Sequence, residues 1–179
     1  RETGSISIID VIRGKGEELK CGAEAVINYD AFLSSGVQFD STRKKDNLNP
    51  ITVHIGGGQI IKGLETGIIG MREGGRRKIS IPPSLAFDKP GFENTLVPGN
   101  EVVSYDVDLM SIKDSPYKTG MAINTTSTVE GSGNKILCGD KVKLKYTINN
   151  LDGTPIKDAS GEVEFVVGNG NVPIGFEFA

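Results

Sequence analysis

Residues 51–87 have the clearest pattern of hydrophobic and polar positions in the chain. Apolar and polar residues alternate over residues 51–55, which is the period of a half-buried strand. Three glycines interrupt this pattern. From Gln59 the period changes, and apolar residues recur every four positions from Ile60 to Ile68. The stretch therefore predicts a strand, a short helix with one apolar face, and a second strand at Arg76–Ile81.

Two glycines, Gly63 and Gly67, lie inside the predicted helix. Each one costs about 1 kcal/mol of helix stability relative to alanine. Glycine also allows a neighbouring backbone to approach closely. We therefore expect a sheet to pack tightly against this face of the helix.

The flanking sequence has the alternation of further strands. It predicts strands at residues 5–13, 23–32, 37–41 and 102–112. The polar stretch at residues 42–50 reads as a loop or bulge, and residues 88–99 read as a long loop. The 24 glycines and 8 prolines are also typical of a β-rich chain with many turns.

An internal repeat divides the chain. Gly16, Cys21, Gly22, Tyr29 and Gly36 recur 117 positions later as Gly133, Cys138, Gly139, Tyr146 and Gly153, and Gly56, Gly63 and Glu65 recur 112 positions later as Gly168, Gly175 and Glu177. The period is far longer than that of a solenoid repeat. We predict a first domain at residues 1–113, a linker at 114–120 and a truncated second copy at 121–179.

Composition narrows the class of protein. Of the 179 residues, 37% are hydrophobic and 24% charged, as in an ordinary globular chain. No apolar run is long enough to span a bilayer, and the net charge of −3 gives no global case for nucleic-acid binding. We expect the chain to be a fragment of a longer protein, and we leave its location open with the cytoplasm as default.

Few residues indicate metal or nucleophilic chemistry. Cys21 and Cys138 do not form a CxxC pair, and we expect two free thiols rather than a disulfide or a metal site. His54 lies on the polar face of its strand, which disfavours a catalytic base or metal ligand. The glycines after it lack a phosphate-binding motif. The basic residues at 72–78 read as a solvated hairpin.

Three segments carry a resemblance to a known family. GVQFDSTRKK, GGGQIIKGLETGIIGMREGGRRKISIPPSLAF and VVSYDVDLMSI closely resemble the FKBP-type peptidyl-prolyl cis-trans isomerases, and the likeness covers residues 6–112 in order. It implies an α+β fold, in which a twisted antiparallel β-sheet is wrapped around a short α-helix. Residues 121–179 resemble the first half of the same domain and imply a partial second copy.

The resemblance also implies a site. The catalytic residues would be Tyr29, Phe39, Asp40, Ile61 and Phe87, and the substrate-binding residues would be Ile51, Val53, Ile60, Leu64, Leu96, Val97 and Tyr105. The Ile61 N–H would bond a substrate carbonyl. Four positions depart from the family pattern: Leu64 is often Trp, Ile51 is often Phe, Phe87 is usually Tyr, and Lys45 replaces an Arg that supports the aspartate.

The implied function is rotation of X–Pro bonds during protein folding, without a covalent intermediate, a cofactor or a metal ion. The alternative is a non-catalytic proline-peptide-binding, chaperone or scaffold module, which the departures favour. Implied partners are proline-containing peptides or client proteins, and FKBP-directed macrolide ligands bound more weakly because of the substitutions. In the second copy, Ile156 and Lys157 stand at the positions of Phe39 and Asp40, and Pro173 at that of Ile61, which indicates a spacer or protein-binding role.

Overall fold

The computed structural model describes residues 5–44, 47–87, 96–114, 131–172 and 176. Its strands are β1 (Ser7–Ile12), β2 (Glu24–Leu33), β3 (Gln38–Ser41), β4 (Arg43–Lys44), β5 (Asn47–Leu48), β6 (Ile51–His54), β7 (Arg76–Ile81), β8 (Val103–Asp114), β9 (Lys141–Asn149) and β10 (Pro155–Val166). The α-helix is α1 (Lys62–Ile68), and a 3-10 turn covers Pro83–Leu85. These elements confirm the predicted α+β class.

Six strands form one antiparallel sheet in the order β1-β7-β8-β2-β3, with β6 also paired to β2. The long strand β2 pairs with β8 along one edge. Its other edge is shared, because its first half pairs with β6 and its second half with β3. The strands that carry the predicted site are therefore neighbours around β2.

Helix α1 packs against β7 through its glycines, as the sequence predicts. A Cβ atom added at Gly63 would lie 2.1 Å from Ile81 Cγ2, and one added at Gly67 would lie 2.7 Å from Ile79 Cγ2. Leu64 and the rest of the inner helix face are buried in the core. Glycine is thus required here because a larger residue would force the helix away from the sheet.

The helix begins later than its apolar pattern. The pattern starts at Gln59, whereas α1 starts at Lys62. Ile61 has the extended backbone of a cap residue, and the Gln59 side chain accepts a hydrogen bond of 2.7 Å from the His54 N–H. The residues before Lys62 therefore belong to a hydrogen-bonded loop. Within the polar stretch read as a loop or bulge, β4 and β5 form a short antiparallel pair.

Strands β9 and β10 form a separate two-stranded antiparallel sheet, here called the C-terminal hairpin. A disulfide joins Cys21, just before β2, to Cys138, just before β9. The expectation of two free thiols is therefore wrong. The reason is spatial: the two cysteines are far apart in sequence, and only the docking of the hairpin brings them together. Disulfides are rare in reducing compartments, so this bridge does not favour the cytoplasmic default.

Two polar contacts add to the disulfide. His54 Nε2 lies 2.8 Å from the Gly168 carbonyl oxygen, and Lys62 forms an ion pair with Asp140. His54, which was predicted to lie on the polar face of its strand, is therefore a half-buried link between the sheet and the C-terminal hairpin. Among the described residues, no helix is long and apolar enough to cross a membrane.

The basic cluster is not a uniformly solvated hairpin. Arg77 is only 7% exposed, and its guanidinium donates to the Gly67 and Ile69 carbonyls at 2.9 and 3.0 Å. It also donates to Asp10 at 2.7 Å, and this hydrogen bond lowers the pKa of that carboxyl. Buried arginine at the end of a helix can satisfy carbonyls that lack helical partners, so Arg77 ties α1 to the sheet.

Candidate functional site

Four aromatic rings meet at one end of β2 and form what we call the aromatic cup. The ring centroids are 5.4 Å apart for Tyr29 and Tyr105, 6.1 Å for Phe39 and Tyr105, and 6.2 Å for Phe39 and Phe87. The contacts of Phe39 are edge-to-face, a favourable arrangement for aromatic pairs. Strands β2, β3 and β8 and the segment after the 3-10 turn thus bring together four residues that lie far apart in sequence.

A carboxylate lies at the rim of the cup. The Tyr29 hydroxyl donates a 2.7 Å hydrogen bond to Asp40 Oδ2, and the Ser41 N–H donates to Asp40 Oδ1 at 2.8 Å. Burial raises the pKa of Tyr29, and the hydrogen bond and negative charge of Asp40 raise it further. The Tyr29 hydroxyl therefore keeps its proton. Asp40 itself is exposed, so it can face a bound molecule.

Tyr105 forms the floor of the cup. It is 5% exposed, and it lies directly across the β-ladder from Ala31, which on its other side pairs with Asp40. Burial is the largest cause that raises the pKa of Tyr105, and the negative charge of nearby Asp40 raises it further. Both tyrosines therefore remain neutral, and the interior of the cup carries no charge of its own.

The start of α1 offers a backbone donor. The Ile61 carbonyl accepts the N–H groups of Leu64 and Glu65 at 3.0 and 3.1 Å. Ile61 precedes the first helical turn, where N–H groups have no acceptor inside the helix. Within the described residues, no protein group accepts a hydrogen bond from the Ile61 N–H. It is half-buried and remains available to a ligand.

The remaining residues predicted for the binding site differ in how deeply they are buried. Leu64 and Val53 are 2% and 3% exposed, and Val97 is 8% exposed, so all three belong to the core beneath the site. Ile51 is half-buried and packs against the same core. Leu96, by contrast, is 79% exposed and projects from the surface. Ile60 packs on the core and also lines a crevice toward the C-terminal hairpin.

An ion-pair network supports the sheet behind the cup, and the sequence reasoning missed it. Arg43 contacts both Asp30 and Asp108, while Arg76 donates two hydrogen bonds to Asp106, of 2.8 and 2.7 Å. These bonds lower the pKa of Asp106. The acidic residues at alternate positions of β8, Asp106 and Asp108, were the feature of the sequence from which this network could have been predicted. Lys45, expected near the aspartate, lies outside the described residues.

One cavity elsewhere in the structure is lined by charged side chains. A cavity of about 450 Å³ lies at the far end of β1 and is lined by Asp10, Glu18, Arg72 and Arg77. These charges are already paired with one another. Within the part of the chain that the structure describes, no three His, Cys, Asp or Glu side chains form a group able to hold a metal ion.

Comparison with known proteins identifies the family. The chain is 35% identical over 109 residues to the "FK506-binding protein" of Neisseria meningitidis serogroup A, covering 61% of this chain and 97% of that protein. It is 38% identical over 113 residues to "FK506-binding protein 4" of Aspergillus oryzae, covering 63% of this chain. The match spans only 23% of the Aspergillus protein.

Solved structures agree. FkpA from Escherichia coli superposes with a TM-score of 0.54 at 32% identity, covering 62% of this chain and 49% of that chain. AtFKBP13 superposes with a TM-score of 0.52 at 30% identity, covering 59% and 91%. The family model described as FKBP-type peptidyl-prolyl cis-trans isomerase matches residues 15–110. The chain therefore belongs to the FKBP-type peptidyl-prolyl cis-trans isomerase family.

Proposed function

We propose that the aromatic cup and Asp40 accelerate rotation about X–Pro bonds in peptides and client proteins. The observation that carries this proposal is the Tyr29–Asp40 hydrogen bond at the rim of a cup formed by four aromatic rings. The cup offers an apolar surface for a proline ring, with one carboxylate beside it. Family membership supports the same class of reaction.

Amide chemistry explains why such a site suffices. Resonance sets the rotation barrier of a peptide bond at about 18–20 kcal/mol, and uncatalysed X–Pro isomerisation takes tens of seconds or longer. Rotation removes that resonance, and the twisted amide is less polar than the planar one. An apolar cup therefore binds the twisted form more tightly, which is catalysis by differential binding. No covalent bond to the protein has to form.

The polar groups have separate roles in this mechanism. The Ile61 N–H anchors a substrate carbonyl, since none of the described residues accepts a hydrogen bond from it at the start of α1. Asp40 acts on the polarity near the rotating carbonyl, and Tyr29 holds the Asp40 side chain in place through its hydroxyl. Phe39, Phe87 and Tyr105 contact the proline ring.

The alternative is a cup that holds proline-containing peptides without accelerating rotation. Phe87 supports this alternative, because its ring has no hydroxyl to donate to a substrate. Leu64 and Ile51 support it as well, because they make the lining less aromatic. FKBP-directed macrolides would bind the same cup, with affinity reduced by these three residues.

A protease-coupled assay on an X–Pro peptide separates the two functions. The Asp40→Leu variant keeps the volume and removes the charge, so it should remain folded and turn over substrate more slowly than the wild type. Glu101→Gln is a matched control, because Glu101 bonds Ser34 away from the cup. Equal turnover by wild type and Asp40→Leu would remove the role we give this carboxylate.

We propose further that residues 121–179 contain a partial second copy of the first domain. The strand registers support this. Glu24 pairs with His54 and Ile27 with Ile51 in the sheet, while Lys141 pairs with Val166 and Leu144 with Val163 in the C-terminal hairpin. These are the same pairs after the offsets of the sequence repeat. The pair Phe32–Gln38 likewise corresponds to Asn149–Pro155.

Backbone conformation supports the second copy independently. The glycines at equivalent positions adopt similar positive φ angles: 84° and 80° for Gly22 and Gly139, 83° and 85° for Gly36 and Gly153, 102° and 90° for Gly56 and Gly168, and 67° and 70° for Gly58 and Gly170. Residues other than glycine rarely adopt these backbone φ angles. The disulfide then joins equivalent cysteines of the two copies.

The second copy would bind rather than isomerise. Ile156 and Lys157 replace the Phe39–Asp40 pair, so the aromatic wall and the carboxylate are lost. Pro173, which lies outside the described residues, has no N–H to anchor a substrate. The ring of Phe176 lies 5.0 Å from that of Tyr146, between centroids, and keeps this side apolar. The Asp40→Leu protein tests this assignment, because an active second copy would leave substantial turnover.

A further inference from the structure

A crevice of about 410 Å³ lies where the C-terminal hairpin meets the start of α1. Its lining comes from both parts of the chain: Gly56, Gly57, Gly58, Ile60, Lys62 and Glu65 on one side, and Cys138, Gly139 and Val166 on the other. The volume is within the range of small-molecule and peptide side-chain sites. Ile60 directly precedes Ile61, so the crevice adjoins the loop that the proposed function assigns to substrate binding.

The walls of the crevice are held in place. The Cys21–Cys138 disulfide, the Lys62–Asp140 ion pair and the contact of His54 with the Gly168 carbonyl fix the hairpin against the loop. Gly57 and Gly58 leave peptide backbone exposed, and a Cβ added at Gly58 would meet no atom within 4 Å. An extended chain can therefore lie against this surface without displacing a side chain.

Glu65 gives the crevice a charge. The residue is 4% exposed, and its Oε1 accepts the Gly56 N–H at 2.8 Å. Within the described residues it forms no ion pair, and the neighbouring Lys62 is paired with Asp140. The charged side chains that line the crevice are those of Glu65 and Lys62, and the Lys62 ammonium is already paired with Asp140. A carboxylate in a largely buried position binds a cation more strongly than one in bulk water does.

We propose that this crevice is a second subsite of the peptide-binding site, and that it takes a lysine or arginine side chain of the client near the X–Pro bond. The basic side chain donates to Oε2 of Glu65, the carboxylate oxygen that does not accept the Gly56 N–H, and its aliphatic part packs on Ile60 and Val166. This inference rests on the proposed function for the direction in which a client lies. The second copy thereby acquires a role in specificity, because it supplies one wall of the subsite.

The test is a binding measurement that does not depend on catalysis. Fluorescence anisotropy gives the Kd of labelled peptides that contain one X–Pro bond and carry lysine, or its uncharged analogue norleucine, one to four residues before or after it. A charge-assisted contact of this kind gives about three- to tenfold tighter binding of the lysine peptide at its best position. The preference should shrink in 0.5 M NaCl, because salt screens it.

Matched variants show which residue causes the preference for lysine over norleucine. Glu65→Gln keeps the acceptor for the Gly56 N–H and removes the charge, so the lysine preference should disappear while circular dichroism is unchanged. Glu101→Gln removes the same charge elsewhere and should keep the preference. Equal Kd values for lysine and norleucine at every position, or a preference that survives Glu65→Gln, would overturn the proposal.

The two proposals fail in different ways. Turnover of a short X–Pro peptide without basic residues depends on the aromatic cup and is measured on the wild-type protein. Absence of that turnover would count against the proposed function. The lysine preference in Kd would still decide whether the subsite exists.

Discussion

Replacing Gly63 by alanine tests the close packing of α1 on the sheet. The substitution gains about 1 kcal/mol of helix propensity. The new methyl group, however, would lie 2.1 Å from Ile81 Cγ2 and 2.9 Å from the Leu85 carbonyl oxygen. Ile81 is fully buried, and the Leu85 oxygen belongs to backbone, so neither neighbour can yield cheaply.

The steric cost of Gly63→Ala is larger than the gain in helix propensity. Overpacking a core typically costs about 1–3 kcal/mol, and the short distances here put Gly63→Ala at the upper end. We expect a net loss of about 1–2 kcal/mol in the free energy of unfolding. For a domain of roughly 100 residues, that lowers the Tm by about 5–15 °C.

The assay is urea unfolding followed by circular dichroism, with wild type and variant compared at the same protein concentration. Gly133→Ala is the matched control, since a Cβ at Gly133 would meet nothing within 4 Å. We expect that control to unfold at the wild-type urea concentration. A Gly63→Ala protein as stable as the wild type would show that the helix does not need this close approach.

Three further predictions concern other parts of the molecule. Phe87→Tyr should raise kcat/KM on X–Pro peptides by up to about tenfold, because a new hydrogen bond contributes about 0.5–1.5 kcal/mol. Asp106→Asn should lower the Tm at pH 7, and the deficit should shrink as the pH falls below the ordinary aspartate pKa of about 3.9 toward the lowered pKa of folded Asp106. Cys21→Ser combined with Cys138→Ser should speed amide hydrogen exchange in β9 and β10 and leave β2 unchanged.

Each of these has a contrary outcome. An unchanged kcat/KM in a folded Phe87→Tyr protein would mean that the site does not use a hydroxyl there. The direction of the pH dependence in Asp106→Asn follows from the hydrogen bond of Arg76, which lowers the pKa of Asp106. The stabilisation from the Arg76–Asp106 pair is present above the unfolded pKa of Asp106 and is lost as the pH falls through the folded pKa. A Tm deficit that does not change with pH would therefore contradict this prediction. Equal exchange rates with and without the cysteines would show that the disulfide does not hold the C-terminal hairpin.

Much of the fold could be predicted because its elements have strong local periods. The alternation in β1, β2 and β8 and the glycines of α1 each point to one local structure. The start of the helix was misjudged by three residues because Ile60 and Ile61 are apolar yet lie in the loop before it. Apolar character alone does not distinguish a helical residue from a buried loop residue.

The contacts that were missed are long-range. The equal spacing of Cys21 and Cys138 within the sequence repeat was visible, but nothing in a linear pattern shows that these two positions come together in the fold. The burial of Arg77 and the ion pairs of Arg43 likewise depend on which strands become neighbours. For the aromatic cup, the family resemblance supplied the residues, and the tertiary fold brings Tyr29, Phe39, Phe87 and Tyr105 into ring contact.

The most direct test of the central claim is two-dimensional exchange NMR on a peptide with one X–Pro bond, at a protein concentration far below that of the peptide. This experiment measures interconversion of the cis and trans forms itself, without a coupling protease. The account predicts exchange cross-peaks with the wild-type protein, weaker ones with Asp40→Leu, and the uncatalysed rate without protein. An uncatalysed rate in the presence of folded wild-type protein would contradict the assignment of isomerase activity to the aromatic cup.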